Sequence, residues 1–405
     1  MTEKTTPPTT TTKATTTTTK TTTPRTTTTT LTPMWKKLLL CSFEATLSPN
    51  LTFPEDGLCD ISFFQALEGN HTFLKGKGGE YDAALDAFLA NAAKQNKSEH
   101  GVGLDYYYNG ATLKVLKEPV ATKTIQELWE KKIYHWAYLN PEVYDLKVEN
   151  ITHLFEILKD IKWKIDLTIK PNRPHYVIYT GSLTSAFRTH IETNAIKDVM
   201  WIDGLGITTH FVEDDRRWIS GLMMPPTFWA RPNETDTAVY SYYMSSAHKN
   251  LRKAADDELN HTAFYFTATM VAKQYVPEKA YAYMNPMAPT LVPFFVDIMA
   301  YCKNAKYTYG FTEKGVIGSF YMSKEENRFI SFDDSKALAK KFCKGKVDLI
   351  DIGYGFLAYN VESDDPTNVC GKGAYYRVKF LRRLAEFFRD QFISPDSLKE
   401  CVKLM

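Results

Sequence analysis

Between residues 35 and 405, short apolar runs alternate with stretches of helical periodicity, and that alternation limits the chain to a handful of architectures. The strand-like runs are Leu38–Phe43, Cys59–Ala66, Gly101–Tyr108, Tyr134–Leu139, His175–Thr180, Val199–Leu205, Ala263–Met270 and Gly353–Tyr359. The clearest helix lies between two of them at 151–163, where Ile151, Leu154, Phe155, Leu158 and Ile161 share one face at the 3.6 period. Another spans about 373–390, with Val378, Leu381, Leu384, Ala385 and Phe388 aligned. Thr124 followed by Glu127 reads as a capping box opening a third. Eight strands alternating with helices predict a (β/α)8 barrel, an α/β fold; a doubly wound open sheet shares the pattern and is the competing architecture. The alternation breaks over residues 280–345, which hold Pro286, Pro289 and Pro293 and short β-like pieces at Gly318–Met322 and Arg328–Phe332. They read as a small α+β insertion before the last strand.

Residues 1–34 are of another kind. They contain 21 threonines and four prolines, and no aromatic residue stands before Trp35. Such a stretch has nothing to bury and cannot offset its ordering entropy, so disorder is expected. Thr/Pro composition reads as an O-glycosylated, mucin-like stalk. The stalk holds four of the 49 basic residues and one of the 47 acidic ones, leaving 45 against 46 in the rest. A folded part so balanced is not that of a dedicated nucleic-acid binder. No apolar run reaches the roughly 18 residues of a transmembrane helix.

Six N-x-[ST] sequons, at Asn50, Asn70, Asn96, Asn150, Asn233 and Asn260, stand beside the stalk and an even count of six cysteines. Together they predict the secretory route and an extracellular protein. The start MTEKTTPPTT has no apolar core of a signal peptide, and the expectation is that the natural chain extends further upstream.

No G-x-S-x-G, H-E-x-x-H or G-x-x-x-x-G-K-[ST] occurs. The glycines of Lys75–Gly79 and of Gly204-Leu-Gly206 lack phosphate-loop and dinucleotide spacing. The nine histidines are scattered without ligand spacing, so neither a metal nor a cofactor is expected.

The C-terminal third carries a pattern. The segments RFISFDDSKALAKKF (328–342), IGYGFLAYNVESDD (352–365) and VCGKGAYYRVKFLRRL (369–384) resemble the closing part of family 18 glycoside hydrolases, the chitinases and chitinase-like lectins. LLLCSF and GLCDISFFQAL are similar to that family's first two strands, and the stalk is similar to those of secreted, mucin-tailed arthropod members. The resemblance implies the (β/α)8 barrel with its insertion. It also implies disulfides Cys41 with Cys59 and Cys302 with Cys370, leaving Cys343 and Cys401 to pair; spacing alone leaves 15 connectivities.

In that family the substrate's N-acetyl oxygen attacks the anomeric carbon, a glutamate ending the fourth strand protonates the leaving oxygen, and an aspartate two residues earlier polarises the acetamide. The family pattern D-x-x-D-x-D-x-E is absent here. In one register His135–Glu142 takes its place, with Glu142 as acid, Asn140 at the supporting aspartate, Tyr138 at the next and His135 at the first. In the other Glu149 is the acid and Lys147 its neighbour. The first is preferred, because His135–Leu139 is strand-like and Glu149 crowds the helix from Ile151. Either way the supporting carboxylate is gone.

The family's Met-Tyr-Asp of strand six resembles Met200–Asp203 in part, keeping Asp203 but placing Ile202 at the tyrosine. The tryptophan that ends strand eight is Tyr359, whose ring still offers an aromatic face. Asp203, Tyr359 and Trp201 are the expected sugar-binding residues, with Trp218 and Trp229 as further aromatic candidates; Asp364 and Asp365 read as turn and cap residues. Each lost donor removes roughly 10²–10³ in rate. The resemblance therefore implies a secreted, non-catalytic relative that binds chitin-type or other glycans or protein partners. The alternatives are a divergent glycosidase using Glu142 and a purely structural matrix protein.

Overall fold

The computed structural model describes residues 33–44, 47–67, 82–139, 148–181, 183, 186–211, 221–229, 243–256, 259, 261–278, 289–291, 293–313 and 316–405. The Thr-rich stretch falls outside them, as do Asn70, Lys75–Gly79, Asn140, Glu142, Lys147, Trp218, Asn233, Asn260 and Pro286.

The strands run β1 (Leu39–Glu44), β2 (Ile61–Leu67), β3 (Glu99–Leu104), β4 (Ile133–Tyr138), β5 (Val177–Gly181), β6 (Gly204–Ile207), β7 (Gly221–Leu222), β8 (Ala263–Thr269), β9 (Ala272–Tyr275), β10 (Pro289–Thr290), β11 (Phe294–Val296), β12 (Thr308–Thr312), β13 (Gly318–Ser323), β14 (Arg328–Phe332) and β15 (Tyr354–Tyr359). Eight of them close a parallel barrel in the order β1-β15-β8-β6-β5-β4-β3-β2. Parallel strands are covered on both faces, so their sequences read as continuous apolar runs. Alternate residues then divide between two cores. Leu40, Phe63, Ile178, Tyr265 and Leu357 fill the interior. Leu39, Phe64, Val177, Phe266 and Phe356 face the surrounding helices.

Those helices are α1 (Asp82–Lys94), α2 (Asn109–Leu116), α3 (Pro119–Glu130), α4 (Val148–Lys164), α5 (Ala186–Asp198), α6 (Met244–Asp256), α7 (Ser335–Asp348), α8 (Tyr376–Asp390) and α9 (Ser397–Val402). The apolar stripes expected at 151–163 and 373–390 lie on α4 and α8 and are buried. The capping box at Thr124 does not form. Pro119 opens α3 one turn earlier, because its fixed φ suits the first helical position. Thr124 is left inside the helix, returning its hydroxyl to the Val120 carbonyl at 2.8 Å.

The insertion is a five-stranded antiparallel sheet, β11-β9-β14-β13-β12. It begins at Ala272, earlier than the sequence indicates, and ends before α7, which belongs to the barrel's outer ring. Three disulfides close, in the pairing the resemblance implies: Cys41–Cys59, Cys302–Cys370 and Cys343–Cys401. They tie β1 to the approach of β2, the insertion to the loop after β15, and α7 to α9.

A buried ion pair fixes the corner beyond the ends of β8 and β15. Arg377, in the first turn of α8, donates from Nε to Asp364 Oδ1 (2.6 Å) and from Nη2 to the Met270 and Ser363 carbonyls (2.7 and 2.9 Å). Asp364 Oδ2 accepts the Val378 amide at 2.8 Å. One guanidinium thus joins the ends of β8 and β15 to the start of the last long helix. Asp365 accepts the amides of Val369 and Cys370, shaping the turn before α8. Replacing Arg377 with Met keeps the bulk but strands the Asp364 carboxylate. Chemical denaturation should show a loss of about 3–5 kcal/mol, and a loss under about 1 kcal/mol would contradict this reading.

Candidate functional site

In barrels of this kind chemistry gathers where the strands end, since each strand delivers one or two side chains to a common mouth. Here β4 leads to Leu139 on the interior side, while Tyr138 faces the surrounding helices. Tyr138 is fully buried, and its hydroxyl has no hydrogen-bond partner among the described residues. Burial, with the Asp105 carboxylate nearby, pushes its pKa well above the ordinary phenol. Asn140 and Glu142 follow directly, outside the described residues. Glu149 falls in the first turn of α4.

On β15 Tyr359 is only 4% exposed. It donates its hydroxyl to the Leu139 carbonyl at 2.5 Å and meets Thr180 Oγ1, from β5, at 3.1 Å. Gly206 on β6 makes room for this: a Cβ there would stand 2.7 Å from Thr180 Oγ1. The Tyr359 ring packs on the imidazole of His210, with centroids 4.5 Å apart.

His210 belongs to Thr208-Thr209-His210, the run that follows β6 into the mouth. The Thr209 amide donates to Thr267 Oγ1 (2.8 Å) and the Thr209 hydroxyl to the Thr267 carbonyl (2.6 Å). Thr267 Oγ1 then has its own proton for His210 Nδ1, 2.6 Å away, which leaves the imidazole proton on Nε2. Desolvation lowers the His210 pKa to about 3, so the ring is neutral. An antiparallel bridge joins His210 to Thr227. Thr227 is held in turn by Asp333 Oδ2, which accepts its amide (2.9 Å) and hydroxyl (2.5 Å), while Lys341 closes on Asp333 Oδ1.

Carboxyl groups stand on the opposite side of the mouth, at β1 and just after β15. The Asn360 side-chain amide donates to Glu44 and accepts the Thr269 hydroxyl at 2.7 Å. The Glu44 amide donates to Glu362 Oε1 at 3.3 Å, and Glu362 Oε2 is buried without a hydrogen-bond partner. Burial first, then the Glu44 carboxylate, raise the Glu362 pKa well above the usual range. No group of three or more His, Cys, Asp or Glu among the described residues could hold a metal ion.

Of the expected sugar-binding residues, only Tyr359 stands in this mouth. Trp201 and Asp203 lie ahead of β6, at the far end of the barrel. The apolar run 199–205 was expected to be the strand itself. Asp203 is instead consumed at the strand's start, accepting the Val177 amide at 2.8 Å and lying 3.6 Å from Lys162 Nζ. Ile202 is buried, its carbonyl accepting the Thr262 hydroxyl. His135 is likewise at the far end, its Nδ1 accepting the Tyr176 amide at 3.0 Å. Trp229 packs beside His248 and Lys344, away from Tyr359. The residues that do meet in the mouth, Thr180, Thr209, His210 and Thr267, carried no motif. The one cue was the polar run after GLGI.

The fold is that of family 18 glycoside hydrolases: a (β/α)8 barrel with a β-rich insertion ahead of its last strand. Among solved structures the chain is similar to a Group IV chitinase of Ostrinia furnacalis, at 12% identity and a TM-score of 0.64, covering 86% of this chain and 100% of that one. Human YKL-39, described as a pseudo-chitinase with retained chitooligosaccharide binding, superposes with a TM-score of 0.63 at 12% identity, over 86% of this chain and 99% of that one. A family 18 N-acetylglucosaminidase from Paenibacillus barengoltzii gives 0.59 at 10% identity, over 86% and 99% of the two chains. No family model and no curated protein sequence matches the chain.

Two outcomes follow from the mouth. Tyr359→Phe removes the donor to a buried carbonyl and should cost about 1–3 kcal/mol in chemical denaturation, where no change would mean that water replaces it. Glu362 has a raised folded-state pKa, so its contribution is whole below the unfolded carboxyl value and is lost as pH rises. Glu362→Gln should therefore raise the melting temperature more at about pH 7.5 than at about pH 4; an equal gain at both would remove the pKa from the explanation.

Proposed function

We propose that this barrel is a secreted, non-catalytic, chitinase-like glycoprotein that binds glycans of the N-acetylglucosamine type. Residues 1–34 are read as an O-glycosylated stalk that extends and hydrates it. The observation that carries the proposal is the neutrality of the mouth's centre. Thr180, Thr209, His210, Thr267 and Tyr359 converge there, and none bears charge at neutral pH. An acetamide attacking its own sugar builds positive charge, which preorganised carboxylates stabilise and neutral hydroxyls do not. Among the described residues no carboxylate ends β4, β5 or β6; Glu44 ends β1, Asp105 follows β3 and Glu362 follows β15, and they accept from the Asn360 side-chain amide, the Tyr107 amide and the Glu44 amide respectively.

Binding without turnover has a precedent on this fold, since YKL-39 is described in those terms. Active chitinases share the fold too, so the fold by itself does not decide the matter. Export is supported by three disulfides and by exposed sequon residues Asn50 and Asn96. No helix among the described residues is long and apolar enough to cross a membrane.

The test is a chitooligosaccharide turnover assay on the intact protein and on Glu142→Gln, paired with a binding titration. Binding without hydrolysis is the expected result. Hydrolysis abolished by Glu142→Gln would establish the divergent-glycosidase reading instead, and absence of both binding and hydrolysis would leave a structural scaffold.

A further inference from the structure

We propose that the barrel's other end, where the strands begin, is a second docking surface that holds an acidic polysaccharide, one bearing carboxylate or sulfate groups. Tryptophan is ordinarily among the more buried residues, yet three of the seven here are exposed: Trp35 at 65%, Trp163 at 60% and Trp201 at 43%. All three lie toward the barrel's N-terminal end. Trp35 precedes β1, Trp201 precedes β6, and Trp163 sits in the last turn of α4.

The frame beneath them is rigid. Lys37 Nζ meets Glu99 Oε2 at 2.8 Å, and Arg173 Nη2 meets Glu99 Oε1 at 3.4 Å while its guanidinium lies 3.6 Å from the centre of the Tyr134 ring. Burial opposes the Glu99 charge, but His135 and Lys37 hold its carboxyl down to about 2. Lys162 donates to the His175 carbonyl at 3.2 Å and reaches Asp203 at 3.6 Å. The first network anchors the segment carrying Trp35. The second joins the neighbour of Trp163 to a residue two positions from Trp201.

The charge count on this face selects the partner. Most of its carboxylates are engaged: Glu99 as above, Asp203 with Lys162, Asp166 with His175 (3.0 Å), and Asp60 with Arg382 (2.7 Å), while Glu130 and Asp198 form no ion pair among the described residues. The ammonium groups of Lys131, Lys164 and Lys170 form no ion pair among the described residues, and Lys36 lies over the Trp35 ring at 5.3 Å. The surplus is positive. Exposed indoles offer flat apolar faces on which pyranose rings stack, and the lysines between them suit sulfate or carboxylate groups. A lipid surface is the less favoured occupant. The indoles are interleaved with ion pairs, which a membrane interface would have to desolvate and a hydrated polysaccharide would not.

The experiment is a tryptophan-fluorescence titration of the intact protein with dextran sulfate and with hyaluronan, against uncharged dextran and phosphatidylserine vesicles. Saturable binding of at least one acidic polymer and none of dextran is expected. Affinity should fall by about tenfold or more between about 50 and about 300 mM salt, as surface charges are screened. Trp163→Ala with Trp201→Ala should weaken binding about tenfold with the melting temperature unchanged. Lys164→Ala with Lys170→Ala should weaken binding and flatten the salt dependence. Excess chitohexaose should not displace the polymer, which separates this face from the mouth whatever the mouth binds. The proposal is overturned if neither polymer binds, if the double tryptophan variant binds as before, or if vesicles or self-association account for the signal.

Discussion

The buried contact between Arg377 and Asp364 is the constraint on which the rest of the architecture depends. β15 pairs with β8 at six positions and with β1 at three. The guanidinium fixes the first of these neighbours, joining the ends of β8 and β15 to the start of α8. Desolvating two charges is costly, and backbone carbonyls and an amide offset it by supplying partners to all but the buried Arg377 Nη1. With that corner fixed, Tyr359 is delivered to the centre of the mouth and Glu362 to its edge.

The two ends of the barrel are built on opposite electrostatic plans. Where the strands begin, charge is dense: Lys37, Glu99, Arg173, Lys162 and Asp203 form linked pairs, and cations are left over. Where the strands end, the centre is hydroxyls, a phenol and a neutral imidazole, each satisfying another. The neutral network also packs the mouth, for the Tyr359 ring that could floor a sugar site is covered on one side by His210.

Much of the fold was legible because parallel strands and amphipathic helices write themselves as runs and stripes. Six of the eight barrel strands lie within about two residues of where the apolar runs put them, and a seventh, Gly101–Tyr108, overshoots the end of β3. Strand six is the exception, and its cause is instructive. The run 199–205 looked like a strand because Val199, Met200, Trp201 and Ile202 are apolar, but β6 itself is Gly204–Ile207, two of whose four residues are glycines that no propensity scale favours. Those glycines are selected by close approach: a Cβ on Gly206 would meet Thr180 and one on Gly204 would crowd Ile178 and Met34. Misplacing that strand moved Asp203 and Trp201 into the mouth and hid His210. The mouth network escaped the sequence for a further reason. Its members are hydroxyls and one imidazole on four different strands, joined only by tertiary contact.

The buried imidazoles carry a consequence for how the fold responds to acid. His210 is not alone. His100, bonded to Gln95 at 3.0 Å, and His248, stacked on Phe266 at 4.2 Å, are each brought to about 4 by desolvation, and burial lowers His135 as well. Such rings bind protons more readily in the unfolded chain than in the folded one. Their share of stability is intact above an ordinary histidine value and drains away as pH drops toward the folded values. These four rings thus weaken the fold as pH falls, the opposite sign from Glu362.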